Sequence, residues 1–169
     1  RALLGLIRLD EGQMSLFGEP VPERLPQQIG AVGALVESPL FFNGFSGRRN
    51  LQILARAARV SEARIDECLN LVALEDRGDD LYKGYSLGMR HRLGVAAALL
   101  KQPRLLILDE PTNHLDLQAT EWLESWLKQY HGAVLLVSHD REVLAGFEDV
   151  ADLKTINRAV PAALAGATP

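Results

Sequence analysis

Leu105-Leu106-Ile107-Leu108-Asp109-Glu110 is an unbroken apolar run closed by two adjacent carboxylates, with Pro111 immediately after. A short apolar run without polar alternation reads as a strand buried on both faces, as in a parallel sheet covered by helices. Ending such a strand in acids puts Asp109 and Glu110 at the carboxyl edge of the sheet, where ligands of open α/β folds bind. On the residues alone, an acid at that position serves equally well as a cap for the helix that follows.

The flanking segments supply the rest of an α/β domain. Downstream, Leu117 to Tyr130 is amphipathic, with Trp122, Leu123, Trp126, Leu127 and Tyr130 on one side; that stripe reads as core rather than as ligand contact. Gly132 then opens Ala133 to Val137, a second apolar strand, and two such strands joined by a crossover helix predict a parallel sheet. Upstream, Gln28 to Val36 reads as a buried strand ending at Glu37-Ser38-Pro39. Helical periodicity runs from Arg48 to about Ala73, with Ser61 as an N-cap between two segments. A polar loop from Asp76 to Gly84 leads to Ser86, which precedes a helix over Leu87 to Leu100 that Pro103 closes. The three helices form an insertion between sheet strands.

Nearer the start, Gln13 to Phe17 is expected to be a short strand, followed by a proline loop at Pro20, Pro22 and Pro26. Arg1 to Leu9 has helical periodicity with no capping residue before it, so the sequence is expected to open inside a helix. Asn157 to Pro169 is alanine-rich without a clear period and reads as a loose tail.

Composition narrows the class. At 169 residues, one domain with a real core is expected, and 47% apolar with 24% charged residues excludes a disordered or fibrous chain. A net charge of -4 and a pI near 5.6 argue against a surface built to attract nucleic acid, and no direct DNA binding is expected. The single cysteine, Cys68, lies on the apolar stripe of Ile65, Leu69 and Val72 and reads as core filler. No apolar run approaches the ~20 residues of a membrane helix and no signal segment opens the sequence, so a cytoplasmic location is expected.

A second strand ends about thirty residues after the first, at Val137-Ser138-His139-Asp140. With that pairing the run LLILDEPTNHLD resembles the Walker B strand and D-loop of ABC-type ATPases, and LLVSHD resembles their histidine switch. Ser86-Leu87-Gly88-Met89-Arg90 is similar to the family's signature motif. The resemblance covers roughly residues 1–146 and leaves 147–169 unassigned. It implies a P-loop NTPase-like α/β sheet covered by helices, with a helical insertion subdomain at about 46–101.

The resemblance also implies site residues. Phosphoryl transfer mainly needs charges and donors held in position: a carboxylate for the metal shell, a group that orients the attacking water and donors for the γ-phosphate. Asp109 would act on Mg2+ through water, Glu110 would polarise the attacking water, and His139 would contact the γ-phosphate of ATP. Ser86, Gly88 and Met89 would face a nucleotide held by a second ABC domain, in a homo- or heterodimer that encloses two ATP molecules. Asn113, Leu115 and Asp116 would lie at that interface. The physics of Ser86 and Gly88 agrees, since a hydroxyl and N–H groups at a helix start form an anion site; a bare N-cap looks the same.

Some features depart from the usual family pattern. Glu37, in LVESP, stands where the family has its Q-loop glutamine; it could accept from a magnesium-bound water or simply be a solvated loop acid. Glu37 and the YSLGMRHRL signature both resemble transporter ATPases of the bacitracin-export type. Thr112 to Asp116, Trp122-Leu123 and GAVLLVSHDREVL instead resemble the ABC-F ATPases, which act on ribosomes. A phosphate loop needs G-x-x-x-x-G-K-[ST], yet no Gly-Lys pair is present, while Arg1 to Leu6 resembles the far end of the helix that follows that loop. The expectation is therefore a domain without its first strand and Walker A loop.

Three functions follow from these readings. One is the ATPase subunit of an exporter, peripheral at the inner membrane face, engaging a transmembrane subunit through the helical insertion and the Glu37 loop. The second is a soluble ABC-F ATPase on the ribosome, and the third is a non-catalytic remnant.

Overall fold

The structure is a computed structural model that describes residues 1–8, 11–36, 40–113 and 115–138. Its centre is a parallel sheet of three strands in the order β3 (Val32–Val36), β4 (Leu105–Asp109), β5 (Ala133–Val137). Register pairs Leu35 with Leu108, Val36 with Asp109, and Asp109 with Val137, so all three strands end together.

The unbroken apolar run of β4 follows from its two covered faces. Leu106 and Leu108 enter a core shared with the helices, whereas Leu105 and Ile107 enter a second core with Leu16, Val21 and Val32. Each face takes every other residue, so no position is left for a polar side chain.

Between β3 and β4 the chain forms α2 (Gly47–Ala58), α3 (Glu62–Leu71) and α4 (Leu87–Leu99). Their shared core includes Leu51, Ile65, Leu69 and Leu93, all fully buried, and Cys68 is buried there as filler. Helix α4 comes so close to β3 that a Cβ on Gly33 would stand 2.3 Å from the Ala98 carbonyl oxygen. Only glycine fits that backbone-to-backbone approach. The crossover α5 (Leu117–Gln129) joins β4 to β5.

Caps explain three of the helix starts. Ser46 accepts from Arg49 N–H at 3.1 Å, Ser86 from Met89 N–H at 3.2 Å and Asp116 from Ala119 N–H at 2.8 Å. Ser61 sits at the N-cap of α3 in extended conformation, without a side-chain cap bond.

The observed elements differ from expectation in several places. The helix expected over Arg1 to Leu9 is absent from its described part, residues 1–8: a 3-10 turn at Ala2–Leu4 ends at Gly5, whose φ of 69° is left-handed and stops propagation. The strand expected from Gln28 begins only at Val32. Pro26 starts a one-turn helix, α1 (Leu25–Gln28), and Ile29–Ala31 continues it as a 3-10 turn. The strand near Gln13 is half of an antiparallel hairpin, β1 (Met14–Leu16) with β2 (Glu19–Val21). The strand expected to be buried at Ala133–Val137 is half-buried along its length, as the last strand in the order. The α5 stripe is likewise divided. Ala119, Leu123 and Leu127 are buried, while Trp122, Trp126 and Tyr130 stack along its half-exposed flank with centroids 6.1 and 5.2 Å apart.

Candidate functional site at the carboxyl edge of the sheet

The end of β4 is fixed by backbone bonds. Glu110 donates its N–H to the Val137 carbonyl at 2.7 Å and accepts from Asn113 N–H at 3.1 Å, and Leu115 N–H reaches Thr112 O at 3.0 Å. Asp116 then caps α5. To make this turn Glu110 adopts a φ of 51°, the left-handed region. For a residue with a Cβ this conformation costs on the order of 1 kcal/mol; Phe17, Arg59, Ala73 and Gln102 share it, and what sets Glu110 apart is its place directly after Asp109 at the sheet edge.

Asp109 is the last residue of β4, and Arg1 Nε donates to its Oδ2 at 2.6 Å. The side chain of Asp109 is only 12% exposed, which makes a cation partner necessary for its charge. Among the described residues no group of three or more His, Cys, Asp or Glu could hold a metal alone. A single edge carboxylate fits magnesium nonetheless, because that ion keeps several waters and binds through one or two carboxylates plus phosphate oxygens.

The signature-like residues reach the same edge. Gly33 lies against Ala98 near the end of α4, and Leu35 shares a small cavity with Gly88, His91, Pro111 and Leu115. Helix α4 therefore runs antiparallel to β3, and its N-terminus returns to the end of the sheet that carries Asp109. Ser86 and Leu87 are exposed there, Met89 is half-buried against the core and Gly88 is buried. A Cβ on Gly88 would stand 2.9 Å from Ala119 Cβ, so this glycine lets α4 seat directly on α5. In this structure Ser86 acts as the cap of α4.

Of the residues expected to lie at a domain interface, Asn113 and Asp116 are exposed and Leu115 is half-buried against the core. Glu37 and His139 lie outside the described residues, as does the 147–169 stretch. An open cavity bordered by Gly5, Gly12, Met14 and Pro20 beside the β1–β2 hairpin includes none of these site residues.

Among the described residues two polar side chains are buried, His91 and Asn50, and neither was singled out from the sequence. Asn50, 2% exposed, accepts from Phe42 N–H at 2.8 Å and donates to the carbonyls of Phe42 at 3.1 Å and Ser46 at 2.9 Å. The available signal was an asparagine among apolar positions of a helix. Its clip holds a loop that leaves Leu40 98% and Phe42 61% exposed. With Phe41, Ile53, Leu54 and Ala97 these residues line an apolar groove.

Comparison with known proteins places this architecture. A family profile described as ABC transporter matches residues 1–113, a span that contains Ser86, Gly88, Met89, Asp109 and Glu110. The bacitracin transport ATP-binding protein BcrA of Enterococcus faecalis is 35% identical over 157 residues, covering 90% of this chain and 50% of BcrA. The probable ATP-binding protein YheS of Haemophilus influenzae, the ABC-F-like relative, is 60% identical over 62 residues, 37% of this chain and 10% of YheS. In fold, the chain matches cbiO1 of Clostridium perfringens, part of the ABC transporter complex cbiONQ, with a TM-score of 0.73 at 21% identity over 84% of this chain and 61% of cbiO1. The chain spans about half the length of curated relatives such as BcrA. The two resemblances read from the sequence, to bacitracin-export ATPases in the N-terminal part and to ABC-F ATPases in the C-terminal part, both have counterparts among these matches, BcrA along most of the chain and the ABC-F-like YheS over a short stretch. With a parallel α/β sheet, a helical insertion and paired carboxylates at the strand end, the chain belongs to the ABC transporter family of ATP-binding proteins.

Proposed function

We propose that this chain is the core of the ATP-hydrolysing subunit of an exporter. The observation that carries the reading is Glu110, held in a strained left-handed conformation next to Asp109 at the carboxyl edge. In this reading Asp109 holds water in the magnesium shell and Glu110 orients the water that attacks the γ-phosphate. The Ser86 hydroxyl and the N-terminal N–H groups of α4 face the phosphate of a nucleotide carried by a second ABC domain, whereas His139 donates to the γ-phosphate of the nucleotide held by its own domain. Magnesium, when bound with ATP, supplies charge neutralisation across the phosphates. Asn113, Leu115 and Asp116 meet the partner domain, and Glu37 reaches the metal-bound water as an acceptor.

The 169 residues contain no G-x-x-x-x-G-K-[ST] run, so none of them is assigned to a phosphate cradle. An exporter is favoured over a ribosome-bound ATPase because the likeness to BcrA extends over 90% of the chain and that to YheS over 37%, and the exposed apolar groove beside Leu40 and Phe42 offers an interaction surface. We assign it to a short helix of a transmembrane subunit, an occupant supported by the likeness to BcrA along most of the chain. Such contact would hold the chain at the inner membrane face; among the described residues no helix is long and apolar enough to cross the membrane. The ABC-F reading draws on the likeness to YheS.

The direct test is Glu110→Gln in the full-length parent protein. Hydrolysis is expected to fall by about 100-fold or more while ATP binding persists, since only the water-orienting carboxylate is removed. Unchanged turnover would overturn the assignment.

A further inference from the structure

We propose that Arg90 is a positioning residue that ties the exposed apolar loop at 40–46 to the Ser86 turn, so that the two move as one body. The idea rests on the groove being a docking surface. It is carried by contacts that meet at one side chain.

Arg90 lies in the first turn of α4, four residues after Ser86. Its Nε donates to the Tyr85 carbonyl at 3.2 Å and Nη2 to the Lys83 carbonyl at 3.5 Å, and its guanidinium stands 5.0 Å from the centroid of the Tyr82 ring. Arg90 therefore grips the segment that leads into Ser86. A planar fork can satisfy two carbonyls and a ring face together, which a lysine cannot.

The same segment holds the apolar loop. Tyr82 donates its N–H to Phe45 O at 2.9 Å, Lys83 donates to Asn43 O at 3.3 Å, and Ser46 pairs with Leu81 in a single bridge. The Tyr82 ring, 3% exposed, meets Phe41 edge-on at 5.4 Å. From the other side Asn50 clips Phe42 and Ser46. A displacement of Phe42 by a docked partner is thus passed through Tyr82 and Lys83 to the carbonyls that Arg90 fixes, and from there to Ser86. Without the guanidinium, the backbone from Tyr82 to Ser86 and the Tyr82–Tyr85 ring contact at 5.7 Å remain, but that segment loses the side-chain brace that fixes its carbonyls to α4. This chain of packed and hydrogen-bonded groups is a physical route for coupling.

The experiment uses the full-length parent carrying Arg90→Ala or Arg90→Lys, first checked by circular dichroism and melting. Amide exchange followed by mass spectrometry is compared with and without ATP·Mg over peptides 40–46 and 82–89. In the wild type, ATP should slow exchange in both peptides; in Arg90→Ala the response at 40–46 should be lost while that at 82–89 persists. Arg90→Lys, which keeps charge and stem, should restore part of it and serves as the readout if the alanine variant does not fold. The ratio of hydrolysis with the transmembrane subunit to hydrolysis without it, taken for each variant against its own basal rate, should fall about fivefold or more in Arg90→Ala. An equal response at 40–46 in wild type and both variants would overturn the proposal, as would no response there in the wild type. A wild type that neither binds nor is stimulated by the transmembrane subunit would defeat the docking assignment alone, because the exchange comparison needs no partner.

Discussion

Glu110 combines a side chain suited to orient water with a backbone conformation that such a residue adopts only under constraint. Two bonds impose it: the N–H to Val137 O at 2.7 Å and the carbonyl taken by Asn113 N–H at 3.1 Å. Glycine would occupy the same φ of 51° without a Cβ conflict, so Glu110→Gly should relieve strain worth up to about 1 kcal/mol. The expected result is a variant as stable as the wild type or more so, with hydrolysis lost. Urea unfolding of the chain alongside turnover of the parent measures both. A clear loss of stability would show that the carboxylate contributes to holding the turn, and would weaken the reading of Glu110 as a residue kept for chemistry. Its chemistry was legible in the sequence because two acids closed an apolar run. Its conformation was not, because φ at residue 110 depends on a carbonyl in β5, far along the chain.

At the scale of elements, Gly88 separates two explanations that the sequence left joined. A glycine in a signature-like run suggests backbone amides offered to an anion, yet its missing Cβ faces Ala119 at 2.9 Å. Gly88→Ala should therefore destabilise the chain by roughly 1–3 kcal/mol through overpacking of α4 on α5. Ala119→Gly, which opens the facing position, should recover part of that loss in the double variant, and a cycle of urea midpoints measures the coupling. Strict additivity would rule out the packing role. Other elements show where sequence reading succeeded and where it stopped. Burial on both faces erased the alternation in β4, which made it easy to see, and Ser86 before an apolar helical run marked the start of α4. The helix expected over Arg1 to Leu9 failed because Gly5 outweighed the periodicity. The second hairpin strand was hidden by Pro20, a residue that reads as loop but is tolerated at a sheet edge. Asn50 could not be assigned from sequence because its partners lie in a loop whose path is set by tertiary contacts. Asp109, Ser86 and the turn after Glu110 meet at one sheet edge because parallel strands all end together and α4 must return antiparallel to them.

Across the whole molecule, weakly acidic groups, with Cys68, Tyr82 and Tyr85 buried and Tyr130 half-buried, set an alkaline limit on stability. Burial pushes the Cys68 thiol up, and it raises Tyr82, Tyr85 and Tyr130 as well; nearby Arg90 opposes the rise at Tyr82 and Arg64 at Tyr130. Tyr85 in addition donates its hydroxyl to the Arg77 carbonyl at 2.6 Å, a bond that needs the proton. A group whose pKa is higher folded than unfolded stabilises the fold while both states are protonated, and that contribution is lost as pH rises. Here the unfolded chain releases these protons first, so it binds fewer protons than the native chain and stability must fall with pH. The decline should be absent near neutrality and begin above roughly pH 9, where an unfolded thiol and then phenols ionise. Melting temperatures at pH 7.5, 9 and 10.5 test it, and a flat profile would contradict the burial of these groups. Cys68→Ala should blunt the first part of the decline without abolishing it, because the tyrosines remain. Cys68 lies in α3, Tyr82 and Tyr85 in the segment before Ser86, and Tyr130 at the end of α5. Three of the four thus belong to the helical insertion rather than to the sheet. Alkaline unfolding should start there, loosening the groove and the Ser86 turn while the β4 strand that carries Asp109 is still paired on both sides. Amide exchange at pH 9.5 should therefore accelerate over 40–46 and 62–89 before it does over 105–109.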